Sequence, residues 1–126
     1  MKPLHILLAA LVLATPAQAF TAQNGLAVEN TARGFAVPWR GPSGAADFWC
    51  AAGDYVVRGL GQSPTTRIYR LTERPRPAGG AMAFSLSPEG AADATGIFTL
   101  IGGQGAAMSA ATAQFYCEIK RKGRSR

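Results

Sequence analysis

Histidine is almost absent from this chain of 126 residues, in which His5 is the only one. Catalytic triads, histidine acid–base catalysis and most transition-metal sites depend on an imidazole. His5 lies near the amino terminus, within a segment that has the pattern of a cleaved export signal. We therefore expect the mature chain to contain no imidazole, which argues against all three kinds of site.

The chain also lacks the short motifs of common active sites. It has no C-x-x-C, no G-x-S-x-G or S-x-x-K and no D-x-D-x-D-G spacing, which argues against the usual thiol, serine and calcium-loop chemistries. We predict no enzyme activity, no cofactor and no metal site. The least favoured alternative is a carboxylate-dependent hydrolase, which would draw on Asp47, Asp54, Glu73, Glu89, Asp93 or Glu118.

Residues 1–19 have the three parts of a signal peptide. Lys2 supplies a positive charge, an apolar run follows at residues 4–14, and Ala17 and Ala19 complete a small-x-small cleavage pattern. Since a membrane span needs about 20 apolar residues, the run favours a cleaved signal over a retained anchor. We expect cleavage after Ala19 and export to the periplasm or beyond, leaving one domain at residues 20–119 and a basic tail at residues 120–126.

Two cysteines, Cys50 and Cys117, are present. In an oxidising compartment they allow one intramolecular pairing, so we predict a Cys50–Cys117 disulfide. Two buried free thiols are the alternative. A catalytic thiol is not expected, because no histidine is available to activate one.

Basic charge is concentrated at the carboxyl end. Apart from Lys2 and this end, the chain carries seven basic and seven acidic residues, so the high pI belongs to the tail. Such tails bind anionic surfaces, including phospholipid, lipopolysaccharide and nucleic acid, although a solvated, disordered end that aids solubility is the alternative. The basic residues of the predicted tail are Lys120, Arg121, Lys122, Arg124 and Arg126.

Hydrophobic spacing predicts a helix over residues 45–58 and another from residue 110 to about 121. One side of the first helix is expected to face solvent; it consists of Asp47, Ala51, Asp54 and Arg58. In the second helix, Glu118 is expected to face solvent. A strand is the alternative for residues 106–119, but the poor strand propensity of alanine favours a helix begun by Ser109. Gly53 is unfavourable inside a helix, which indicates a closely packed neighbour.

Alternating residues predict antiparallel hairpins from residues 26–29 with 35–39, and from residues 66–74 with 81–87. A further central strand is expected at residues 96–101. Arg70, Arg74 and Arg76 would then lie near one another on the exposed face or turn of the second hairpin. Such a cluster can bind a carboxylate or phosphate, but protection of an exposed strand edge is the favoured interpretation.

A glycine-rich loop at residues 102–105, with Gly102, Gly103 and Gly105, stands between this strand and the second helix. That order is also found in phosphate-binding loops. The lysine of a P-loop is missing, and a tight turn is the favoured explanation of the glycines. The loop is therefore a second, weaker candidate for binding a small anion.

Together these patterns predict an α+β domain, in which a small antiparallel sheet is covered on one face by two helices that a disulfide joins. The signal peptide, the run DFWCAAGDY at residues 47–55, the segment RIYR at residues 67–70 and the late pair Tyr116–Cys117 resemble small exported proteins of alphaproteobacteria. This resemblance implies no activity and no functional residues. We predict a non-catalytic binding or scaffolding module at the cell envelope, with a small-anion-binding protein as the alternative.

Overall fold

The computed structural model describes residues 19–41, 43–73, 76–97 and 107–124, without the side chains of residues 120, 123 and 124. The predicted signal peptide as far as residue 18 lies outside these residues. So do Arg74, Arg126, the glycine loop at residues 102–105 and most of the strand predicted at residues 96–101.

Within the described residues, six strands form one antiparallel sheet in the order β1-β2-β3-β5-β4-β6. In the same part of the chain two helices accompany the sheet, so the predicted α+β class is confirmed. The strands are β1 (Phe20–Thr21), β2 (Ala27–Thr31), β3 (Gly34–Val37), β4 (Arg67–Arg70), β5 (Met82–Ser85) and β6 (Ala107–Ser109).

Both predicted hairpins are present. β2 and β3 pair around a short turn in which Thr31 lies opposite Gly34, and β3 ends at Val37, directly before Pro38, which has no N–H to donate. A side chain at position 34 would collide with the Phe84 carbonyl of β5, so glycine allows the two strands to approach. The second hairpin pairs Tyr69 with Ser85. The sequence pattern did not indicate β1, and β6 lies within residues 106–119, for which a strand was the alternative.

The first helix, α1, covers Ala45–Asp54 and continues into a π-helical turn at Tyr55–Gly59. The Asp47 carboxylate accepts the Gly44 N–H at 2.8 Å, which stabilises its first turn. The second, α2, covers Ala110–Arg124. It begins where the Ser109 hydroxyl accepts the Thr112 N–H at 3.2 Å, so the helix prediction and its cap are confirmed. The strand alternative is wrong from residue 110 onward, but Ala107–Ser109 do form a strand, β6.

Aromatic rings join α1 to the sheet. Trp49 is fully buried and meets Phe84 edge-on at 4.9 Å between ring centroids. Phe35 stacks on Phe84 and also contacts Tyr55. Such rings supply much of the apolar area that a small core can bury.

The prediction that Asp47, Ala51 and Asp54 face solvent is wrong, because all three are buried. The helical spacing identified an apolar side of α1 correctly, but it did not show that the opposite side is also covered. There, α2 packs closely, and Gln23 and Asn24 from the segment after β1 hydrogen-bond to the two aspartates. Because α1 lies between the sheet and α2, neither of these two sides faces solvent. The polar residues on the side toward α2 are hydrogen-bonded to partners in the fold.

Cys50 and Cys117 form the predicted disulfide, with 4.9 Å between their Cα atoms. Both residues are buried, and the bond joins the middle of α1 to the middle of α2. The two free thiols considered as the alternative are therefore wrong.

At Gly53 the backbones of the two helices approach closely. A Cβ at this position would lie 2.7 Å from the Ala113 Cβ, 2.7 Å from the Gln114 nitrogen and 2.8 Å from the Ala110 carbonyl oxygen. Two of these atoms belong to the backbone and cannot move aside alone. The packed neighbour that Gly53 indicated in the sequence is therefore α2.

Replacing both cysteines (Cys50→Ala with Cys117→Ala) should lower the free energy of unfolding by about 4 kcal/mol, because the bond closes a long loop in the unfolded chain. Urea unfolding followed by circular dichroism measures this. Reduced wild-type protein should show a similar loss, and an unchanged midpoint in both samples would contradict the prediction.

Gly53→Ala should lower the free energy of unfolding by about 1 to 3 kcal/mol through overpacking, although alanine is intrinsically the better helix former. Gly44→Ala is the matched control, because the nearest atom to a new Cβ there is 4.0 Å away. The control should lose about 0.7 kcal/mol, because Gly44 is the N-cap of α1 and glycine is the better residue at that position. Stabilisation by Gly53→Ala would show that the helices can separate at no cost.

Candidate functional site

The outward side of α2 carries large apolar side chains. Ala113 and Cys117 face α1 and are buried, whereas Phe115 is 57% exposed and Ile119 is 50% exposed. Phe115 and Ile119 lie one helical turn apart on the solvent side, and Lys122, three residues after Ile119, falls within the same stripe of about 60°.

The basic residues extend this helix. α2 continues to Arg124, so the backbone is helical through the first five residues of the predicted tail. Cations in the last turns of a helix interact favourably with its dipole, which gives a physical reason for the extension. Arg121 and Lys122 are exposed, and Lys120 and Arg124 occupy the same turns.

A small cavity adjoins the disulfide. Its volume is about 140 Å³, and its lining includes Asp47, Tyr116, Arg121 and both cysteines. Binding sites for small molecules are usually about 300 Å³ or larger. The Asn24 amide donates to the Asp47 carbonyl at 2.8 Å, so polar groups at this cavity already serve the fold.

Arg70 is not on an exposed face as predicted, because only 2% of the residue is exposed. Its Nε donates to the Thr72 carbonyl at 2.6 Å and one terminal nitrogen donates to the Thr95 carbonyl at 3.0 Å. The Thr95 carbonyl also accepts the Trp49 Nε1–H at 2.9 Å. Strand alternation assigned Arg70 to the same side as Ile68, but that side faces the core.

Arg76 contacts a different set of groups. Its guanidinium lies over the Phe48 ring, 4.8 Å from the centroid, and donates to the carbonyls of Pro77 and Gly80. It therefore holds the loop before β5 against α1. Arg70 and Arg76 both make contacts that support the fold. The prediction of an exposed arginine cluster is wrong for Arg70, which is buried.

Asp54 is the centre of a polar network that joins three parts of the chain. Its carboxylate accepts the Gln23 N–H at 2.9 Å, pairs with Arg58 one turn later, and accepts the Gln114 amide of α2 at 3.5 Å. Burial alone would raise the pKa of Asp54, but the hydrogen bonds and charge of Arg58, with the other donors, outweigh it and lower the pKa. Asp54 is thus held ionised, which is unsuitable for a general acid.

Tyr55 and Phe35 form part of an open cleft of about 400 Å³ on another side of the molecule. The Tyr55 hydroxyl donates to the Asn30 side chain at 2.5 Å, and Arg33 donates to the Glu89 carbonyl. These polar groups are therefore satisfied within the fold, and the cleft offers mainly apolar contact.

Within the described residues, no group of three or more His, Cys, Asp or Glu side chains is placed to hold a metal ion. No helix in this part of the chain is long and apolar enough to cross a membrane. Every buried side-chain nitrogen and oxygen in it has a hydrogen-bond partner, so no orphaned polar atom marks a ligand.

Comparisons of the chain with protein-family models, curated proteins and solved structures find no match. The surface with the most distinctive chemistry is the outward side of α2 from Phe115 to Arg124, which we call the α2 surface.

Asp54→Asn should lower the free energy of unfolding at pH 7 by about 2 kcal/mol, because the hydrogen bonds lose their charged partner. The pKa of Asp54 is lowered in the folded state. The stabilisation is therefore fully present above the pKa of the unfolded chain, about 3.9, and is lost as the pH falls through the pKa of the folded state. The difference between wild type and variant should therefore shrink below about pH 4.

Urea unfolding at neutral and acid pH measures this difference. Asp93→Asn is the control, because Asp93 is exposed and its substitution should leave the profile unchanged. A wild-type advantage that is the same at both pH values would contradict the assignment to Asp54.

Proposed function

We propose that this protein is an exported, non-catalytic module that binds anionic surfaces of the cell envelope through residues 120–126. The observation that carries the proposal is the extension of α2 through the basic segment to Arg124. The helix that carries this segment is fixed to the rest of the domain by the disulfide and by the Gly53 contact.

Two features support export. The Cys50–Cys117 disulfide is compatible with an oxidising compartment outside the cytoplasm. In addition, β1 begins at Phe20, the residue that directly follows the predicted cleavage site. The signal peptide and the periplasmic or secreted location remain parts of the proposal.

Charge distribution supports the choice of surface. The body of the domain is balanced, with equal numbers of basic and acidic residues, and the excess of positive charge lies at its carboxyl end. Each basic residue near an anionic membrane contributes about 1 kcal/mol. A cluster of this size is therefore sufficient for measurable, salt-sensitive binding.

The alternative proposal, binding of a small anion at Arg70, Arg74 and Arg76, has less support. Arg70 and Arg76 donate to backbone carbonyls, and these bonds would have to be broken to receive a ligand. The loop at residues 102–105 stays a prediction. The hydrolase alternative is weaker still, because Asp54 has a lowered pKa and a glycosidase acid needs a raised one.

Replacing the five basic residues at the carboxyl end with glutamine should weaken binding to phosphatidylglycerol vesicles and to heparin by at least about a hundredfold at low salt. The substitutions are Lys120→Gln, Arg121→Gln, Lys122→Gln, Arg124→Gln and Arg126→Gln. Vesicle sedimentation and heparin chromatography measure the two affinities.

The control replaces three exposed arginines of the body, Arg33→Gln, Arg40→Gln and Arg67→Gln, and should retain most of the binding. Equal losses in both variants would show only a general effect of net charge. Undiminished binding by the five-residue variant to both ligands would refute the proposal.

A further inference from the structure

The α2 surface has a property that attraction to a polyanion does not require. Phe115 and Ile119 are the two most exposed of the large apolar residues in the described part of the chain, above Trp39 at 44%, Leu60 at 42% and Leu86 at 39%. Isolated exposed apolar residues are common. These two, however, are adjacent on one helix face and directly precede the basic residues.

From this arrangement we infer that α2 lies in the interface of an anionic phospholipid bilayer, with Phe115 and Ile119 inserted at the boundary between headgroups and acyl chains. The inference rests on the proposed function and deepens it by naming the partner as a lipid bilayer and not a soluble polyanion. Aromatic and aliphatic side chains beside Lys and Arg are the composition of helices that bind membrane interfaces.

The spacing fits a helix that lies along a surface. Phe115, Ile119 and Lys122 follow one another at i, i+4 and i+7, which places them on one stripe about 10 Å long. Long basic side chains can bend toward the headgroups while their methylenes contact apolar material. Insertion of the two apolar residues and contact of Lys122 with lipid phosphates are therefore geometrically compatible.

Contacts on the opposite side of α2 prevent the helix from rotating about its axis, so the stripe of Phe115, Ile119 and Lys122 stays on the outside. The Cys50–Cys117 bond and the close contact of Gly53 with Ala113 fix both the depth and the rotation of the helix. Phe115 and Ile119 therefore cannot be buried in the core by a rotation of α2. A surface that is already formed loses little conformational entropy on binding.

Glu118 is the one acidic residue in α2, and it is exposed three positions after Phe115. Its charge opposes an anionic membrane. Its presence predicts a specific gain, because Glu118→Gln should strengthen binding to anionic vesicles several-fold. A core residue or a residue remote from the bilayer would show no such gain.

The main test replaces both apolar residues, with Phe115→Ser and Ile119→Ser. We expect vesicle binding to fall about thirtyfold, because about half of each side chain is still available for burial. Heparin binding should stay within twofold of wild type. Leu60→Ser with Leu86→Ser is the matched control, because these residues are also exposed but lie elsewhere, and it should bind vesicles normally.

A second measurement reports insertion directly. Phe115→Trp, in a Trp39→Phe background, should show a blue shift and quenching by brominated lipid when vesicles are added. The same background without Phe115→Trp is the control, because its remaining indole, Trp49, is fully buried and should not respond to the lipid. Near-ultraviolet circular dichroism and the absence of free thiols confirm that each variant is folded.

Full vesicle binding by the double serine variant would overturn the inference of insertion, as would vesicle-bound Phe115→Trp protein whose fluorescence brominated lipid does not quench. In either case, loss of binding by the five-glutamine variant would still leave the proposed function intact. If that variant instead retains both vesicle and heparin binding, the proposed function itself is wrong.

Discussion

The contact between α1 and α2 is the constraint on which the rest of the structure depends. It combines a covalent bond at Cys50 and Cys117 with a backbone approach that only glycine permits at position 53. Because the helices meet so closely, the side of α1 that carries Asp47 and Asp54 is enclosed. The same contact sets the rotation of α2 and so determines which of its residues face outward.

The polar groups in this enclosed layer are arranged by charge as well as by hydrogen bonding. Asp54 has a negative charge in a buried position and is stabilised by the partly exposed Arg58 and by donors from two other segments. Burial of a charge without such partners would cost several kcal/mol. The network therefore connects the segment after β1, α1 and α2 in one unit, and its purpose is structural.

Local patterns predicted the elements of this fold well. Hairpin turns, helix caps and the cysteine count depend on neighbouring residues or on a pairing with one solution, so the β2–β3 hairpin, the start of α2 and the disulfide were all predictable. Burial of Asp47, Asp54 and Arg70 was not, because periodicity identifies two sides of an element without showing how many layers cover it. For the candidate site, the basic residues were evident in the sequence, but the exposure of Phe115 and Ile119 follows from the rotation of α2.

The carbonyl of Thr95 illustrates a consequence for how this domain tolerates change. It belongs to a stretch without helix or strand, yet it receives hydrogen bonds from both Trp49 and Arg70. One backbone oxygen thus satisfies an indole and a guanidinium inside the core. The irregular stretch around Thr95 is therefore part of the core. An insertion beside it would disturb the interior as much as a change within β5, whereas an insertion in an ordinary surface loop would not.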